Sequence, residues 1–234
     1  MASWGAKLWR GILVPPLYTA VILVGWTVLS LPLSVDRRTV LWPAVAGFSV
    51  AALFLLSGIR LLRLYVLGHE LTHWLAAKLC RRRTGQLRAG SHSGSIEVEN
   101  PNALIVLAPY FVPVYTLALV GLYGLIGIWI EPLPDWGVAL FCGGLGATYA
   151  FHLALTGLAL QRGQQDLHLC GPVFSVGVIL LGNAVLILGA MVVTGRLWDL
   201  AFAILTQRTF QLWQLAVTLI QGGLAWAGSI RSRH

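Results

Sequence analysis

Leu64-Tyr65-Val66-Leu67-Gly68-His69-Glu70-Leu71-Thr72-His73-Trp74-Leu75-Ala76-Ala77-Lys78-Leu79 is an apolar stretch that carries one carboxylate and two imidazoles. On a helix, His69 and His73 stand one turn apart on one face, so both rings reach a single metal ion. Glu70 lies about 100° around the helix from His69, where it flanks such an ion without ligating it. Ionisable groups inside an apolar helix are costly at membrane depth and mark function. Whether this helix lies in a membrane is decided by its neighbours.

Outward from it, five segments lack Asp, Glu, Lys and Arg: Gly11–Val35, Thr39–Ile59, Asn100–Ile130, Trp136–Gln161 and Gln164–Gly195, the last interrupted by Asp166. Each reaches the roughly 20 residues that cross a bilayer as a helix. The 234 residues are 57% hydrophobic and 10% charged. A soluble domain carries about 25% charged residues, so this chain cannot cover a water-facing surface. The expected fold is an all-α polytopic membrane protein of about six to seven transmembrane helices, with Leu64–Leu79 among them. Residues 1–63 form N-terminal accessory helices, 64–195 the core, and 196–234 a C-terminal amphipathic or transmembrane helix. Lys7 and Arg10 before an apolar run resemble a signal peptide, but Gly11–Val35 is too long for one and reads as an uncleaved span.

The formal charge of +8 comes from 16 Lys+Arg against 8 Asp+Glu. The basic residues sit in short gaps between apolar runs, which points to orientation by positive loops and contact with the lipid bilayer, not to nucleic acid. With the N-terminus outside, Arg37, Arg38, Lys78, Arg81, Arg82, Arg83, Arg88 and Arg162 fall inside, against Lys7, Arg10, Arg60, Arg63 and Arg196 outside. Cys80, Cys142 and Cys170 are widely spaced and imply no disulfide framework.

Arg81–Glu99 is the one sizeable polar loop. Its end, Ser95-Ile96-Glu97-Val98-Glu99, alternates polar and apolar residues, and Gly85, Gly90 and Gly94 supply turns, so a small β-hairpin is expected after the H-E-x-x-H helix. Pro109 and Pro113, in Ala-Pro-Tyr-Phe-Val-Pro, should kink their span and free carbonyls. Gln207, Gln211, Gln214, Thr218 and Gln221 follow 4-3-4-3 spacing and share one helical stripe.

A catalytic zinc site takes three protein ligands and one open position. The third donor must come from His92, His152, Asp166, His168, Cys170 or His234. His92 and His234 read as solvated. Asp166, at the inner start of its span, and His152, some two turns from an inner helix end, match the depth of His69 and His73.

The Gly68–His73 motif in a span, followed by a basic turn, a strand-like loop, further spans and Asp166 at the start of a helix, resembles the site-2 protease class of intramembrane zinc metalloproteases, peptidase family M50. The resemblance covers roughly Leu64–Gly195. The family's Leu-Asp-Gly is replaced here by Gln164-Gln165-Asp166-Leu167-His168, as in a divergent member. The resemblance implies a hydrolase with Zn2+ held by His69, His73 and Asp166, Glu70 as general base, and a transmembrane protein as substrate. It implies cleavage near the cytoplasmic face, in a multi-pass protein of a bacterial-type cytoplasmic membrane. His152 is an alternative ligand or, with Gln164 or Gln165, an oxyanion stabiliser. Two rivals are a non-catalytic protein of the same fold that binds partner spans, and a transporter or channel in which Glu70, His152 and the glutamine stripe line one polar route.

Overall fold

In the computed structural model, the described residues are 4–32, 35–58, 61–90, 94–130, 132–162 and 165–231. They are almost entirely helical. In chain order the elements are α1 (Trp4–Ser30), α2 (Trp42–Leu56, entered through a π-helical turn at Arg37–Leu41), α3 (Leu62–Leu79), β1 (Arg88–Ala89), β2 (Gly94–Ser95), α4 (Ala103–Phe111), α5 (Val114–Trp129), α6 (Asp135–Arg162), α7 (Gln165–Cys170), α8 (Pro172–Gly195) and α9 (Trp198–Arg231).

Among the described residues, four helical stretches are long and apolar enough to cross a membrane: Leu8–Ser30, Arg37–Leu56, Asp135–Gln161 and Pro172–Thr194. The bent pair α4–α5 makes a fifth if it is one span. This composition is that of a multi-pass membrane protein. The six or seven expected spans would add α3 and α9. The three charged residues of α3 and the glutamines of α9 keep both out of that set.

Local chemistry explains the element ends. Asp36 caps the turn into α2: its Oδ1 accepts from the Thr39 hydroxyl at 2.6 Å and from the Thr39 and Arg38 amides at 2.7 and 3.0 Å. Those bonds, the Thr39 hydroxyl first, hold the carboxyl below the usual aspartate range. Asn102 caps α4 through the Ile105 amide, at 2.9 Å. Pro113 brings no N–H, and α4 and α5 meet at a 72° bend there. The Tyr110 carbonyl is left without a helical donor and accepts instead from Asn183 Nδ2 at 3.1 Å and Thr156 Oγ1 at 3.4 Å.

Around that bend lies the core, with Tyr110, Ile105 and Leu107 almost fully buried. Leu167 and Cys170 of α7, Ala159 of α6 and Ile179 of α8 pack on Val106 and Tyr110. Ala76 and Ala77 of α3 pack on Ile105 and Ala108. Strand pairing is shorter than the alternation in Ser95–Glu99 suggests: Arg88 and Ala89 pair antiparallel with Ser95 and Gly94, and Thr84 bridges Val98.

α2 and α6 touch backbone to backbone. A Cβ on Gly146 would lie 2.0 Å from the Ala44 carbonyl oxygen, and one on Gly47 2.0 Å from that of Gly143. Small residues permit such approach where the hydrophobic effect cannot drive helices together. Gly146→Ala is therefore expected to destabilise the protein by about 2 kcal/mol or more, because backbone must move. Gly157→Ala on the same helix, where a Cβ meets nothing within 4 Å, should be neutral or slightly stabilising. Denaturant titration in mixed micelles reads both; equal midpoints would refute the close contact.

The direction of α1 departs from the sequence expectation. Arg10 Nη1 donates to the Leu169 carbonyl, Tyr18 OH to that of Val173, and Leu31 packs on Val192. Residue numbers rise together along the pair, so α1 and α8 are parallel. Alternating spans with the N-terminus outside place four crossings between them and make them antiparallel. That strict alternation fails at the N-terminal end, because hydropathy fixes length and leaves direction free.

Candidate metal centre

α3 and α4 run antiparallel, which sets Ile105 beside His73 and Tyr110 beside His69. His73 Nδ1 lies 2.9 Å from the Ile105 carbonyl oxygen. A carbonyl only accepts, so Nδ1 carries the hydrogen and Nε2 of the neutral ring presents a lone pair. His69 Nε2 is 3.2 Å from that atom, with the two rings edge to face at 84°.

Asp166 arrives from α7, ninety-seven positions beyond His69. Three contacts fix this short helix. Ser175 Oγ donates to the Leu167 carbonyl at 3.1 Å, Arg10 Nη1 to that of Leu169 at 2.7 Å, and Tyr110 OH to Asp166 Oδ2 at 2.9 Å. Gly171, at φ +87°, then turns the chain into α8, a conformation that favours glycine. Asp166 Oδ2 lies 3.4 Å from His69 Nε2 and 3.6 Å from His73 Nε2.

The three donor atoms thus form a triangle of 3.2, 3.4 and 3.6 Å. Tetrahedral ligands at 2.0–2.1 Å from zinc sit about 3.3 Å apart, so the triangle has the size of one face of a zinc coordination shell. Its chemistry matches too. An imidazole lone pair and a carboxylate oxygen converge, two acceptors that repel unless a cation or proton lies between them. His69, His73 and Asp166 are the group of His, Cys, Asp and Glu side chains that could hold a metal ion among the described residues.

Glu70 stays outside this group, as its place on the helix requires. Strand β2 passes directly over it: a Cβ on Gly94 would lie 2.6 Å from Glu70 Cγ and 2.7 Å from Val66 Cγ1. Gly68 makes similar room for Tyr115, whose ring would be 2.7 Å from an added Cβ and whose hydroxyl bonds the Leu64 carbonyl. A small, partly open cleft with room of about 30 Å3 for solvent runs beside His69, lined by Gly68, Tyr110, Pro113, Tyr115 and His152 among others. The bend at Pro113 shapes one wall.

His152 lines this cleft but does not join the three-residue group. Its Nε2 is buried and has no hydrogen-bond partner among the described residues. His168 is exposed on α7, and Cys170 is buried in the core cluster. His92, Gln164 and His234 lie outside the described residues, as does the Gln165 side chain.

The sequence reading did not single out Tyr110, the Ile105 carbonyl or Asn183. Tyr110 lies within the stretch noted for its prolines, and a tyrosine between two helix breakers at the depth of two histidines was the available signal. Nothing in sequence marks a backbone carbonyl as a histidine's partner. The transporter reading needs the glutamine stripe beside Glu70 and His152, but those glutamines are exposed on α9, which packs on α1 and α8. No protein-family model, curated protein or solved structure matches this chain.

Proposed function

We propose that the protein is a zinc-dependent intramembrane endopeptidase that hydrolyses peptide bonds of transmembrane substrates near the cytoplasmic face of a bacterial-type membrane, with α3 and α9 as additional spans. The observation that carries this reading is the donor triangle beside a cleft, with a carboxylate on the adjoining helix position. His69, His73 and Asp166 hold the metal. When bound, zinc polarises a carbonyl and brings the pKa of its water towards 7.

The remaining work falls to side chains of this chain. Glu70 takes the proton of the attacking water and returns it to the leaving amide nitrogen. His152, which lines the same cleft, binds the scissile carbonyl oxygen as charge develops there. Tyr110 OH donates to Asp166 Oδ2, the same oxygen that faces the histidines, and so fixes the carboxylate in place. A substrate helix hides its amides and must unwind first; the β1–β2 pair beside Glu70 offers strand edges that take up freed backbone groups.

Metal removal tests the reading. Purified protein should contain one zinc per chain and cleave a reconstituted single-span substrate. A chelator should abolish cleavage, and added zinc should restore it. Absence of stoichiometric zinc, or cleavage that survives the chelator, sinks the proposal.

A further inference from the structure

Among the described side chains, helix α9 is tied to the rest of the molecule over its first part. Ala201 packs with Leu31 and Val192, and Arg208 lies 4.8 Å over the Trp26 ring. From Thr209 to Gly223 every residue is exposed except Val217, which is half-buried. Thr209–Ile230 is uncharged over 22 positions, long enough to cross hydrocarbon.

Within this apolar length, Gln207, Gln211, Gln214, Thr218 and Gln221 fall inside an arc of about 80° at 100° per residue. An interfacial helix has a broad, charged polar face. This stripe is narrow and uncharged past Arg208, and its 4-3-4-3 spacing is that of a coiled-coil seam. In sequence the seam continues through Ala225 and Gly228, which permit close helix approach.

Inside the chain the seam is poorly satisfied. Arg208 Nη1 donates to Gln211 Oε1 at 2.8 Å, and the Thr218 hydroxyl bonds the Gln214 carbonyl of its own helix. The side chains of Gln207, Gln214 and Gln221 have no hydrogen-bond partner among the described residues. An amide left unpaired in hydrocarbon is costly, so the seam requires a partner that offers polar groups at the same heights.

We infer that this partner is a second copy of the same chain, docked α9 to α9 in parallel. A copy inserted in the same membrane has the same orientation, so a twofold axis sets each glutamine opposite its own equivalent. The side-chain amide both donates and accepts, and like pairs with like. A generic apolar span offers no such ladder. The dimer rests on α9 crossing the membrane as proposed above, and stands independently of the metal site and of the proposed hydrolysis.

Energy transfer between donor- and acceptor-labelled full-length copies in liposomes tests it. Wild type should give a dimer signal that persists as lipid is added. The triple variant Gln211→Leu, Gln214→Leu, Gln221→Leu should weaken association at least about tenfold while retaining the wild-type helix content. A second measurement uses a near-native chain: in a Cys80→Ser background, oxidation should link Thr218→Cys copies and leave Ala216→Cys copies, on the opposite face, unlinked. A monomeric wild type, a triple variant that dimerises unchanged, or equal linkage at 216 and 218 would each overturn the inference.

Discussion

Glu70→Gln is expected to keep its zinc and lose its cleavage. The amide has the shape of the carboxylate, so it retains the packing under Gly94. The three donor atoms belong to other residues, so metal stoichiometry should match wild type. What disappears is the proton acceptor. General-base removal costs about 10²–10⁴-fold, and here the upper part of that range is expected because the same group also returns the proton to the leaving nitrogen. His69→Ala is the contrasting variant: it should lose metal and cleavage together. Atomic absorption on purified protein and gel-based cleavage of one substrate read both variants side by side. If Glu70→Gln cleaves at more than about a tenth of the wild-type rate, another group abstracts the proton and the assignment falls.

The parts of this site that could be read from the chain are those encoded by one helix's own period. His69, Glu70 and His73 are set by the 3.6-residue repeat, and the fold keeps them where that repeat puts them. The break at Pro113 is likewise local, because a missing N–H and a fixed φ act on neighbouring turns. Asp166 is a different case. Nothing within its own short helix says that it meets His69; it arrives through α4–α6, a Tyr110 hydroxyl and an Arg10 contact from the far end of the chain. Directions are also invisible to hydropathy. α1 and Pro172–Gly195 are apolar read either way, and their parallel packing rests on contacts such as Tyr18 with Val173. The glutamine stripe shows the opposite failure: its register is plain in sequence, yet the same amides keep α9 from passing as a simple apolar span.

Asp166 and His152 were equally placed by depth, and substitution separates them by what each loses. Asp166→Ala should lower zinc affinity by more than about a hundredfold, since losing even a supporting partner of a ligand costs 10–100-fold and this change removes a donor itself. It leaves two imidazoles 3.2 Å apart and Tyr110 OH without its acceptor. Asp166→Asn keeps an oxygen for Tyr110 but gives up the charge, so its affinity should fall between Ala and wild type. His152→Ala should bind zinc as tightly as wild type, because its ring does not belong to the donor triangle. Its loss should appear in kcat, by about 10²–10³-fold if its ring binds the developing oxyanion. Competition against a chelator of known affinity measures the first effect, and steady-state cleavage with saturating zinc the second. Zinc lost from His152→Ala and kept by Asp166→Ala would exchange their roles, and the short edges between Asp166 and the two histidines would then be a hydrogen-bonded cluster with no part in holding the ion.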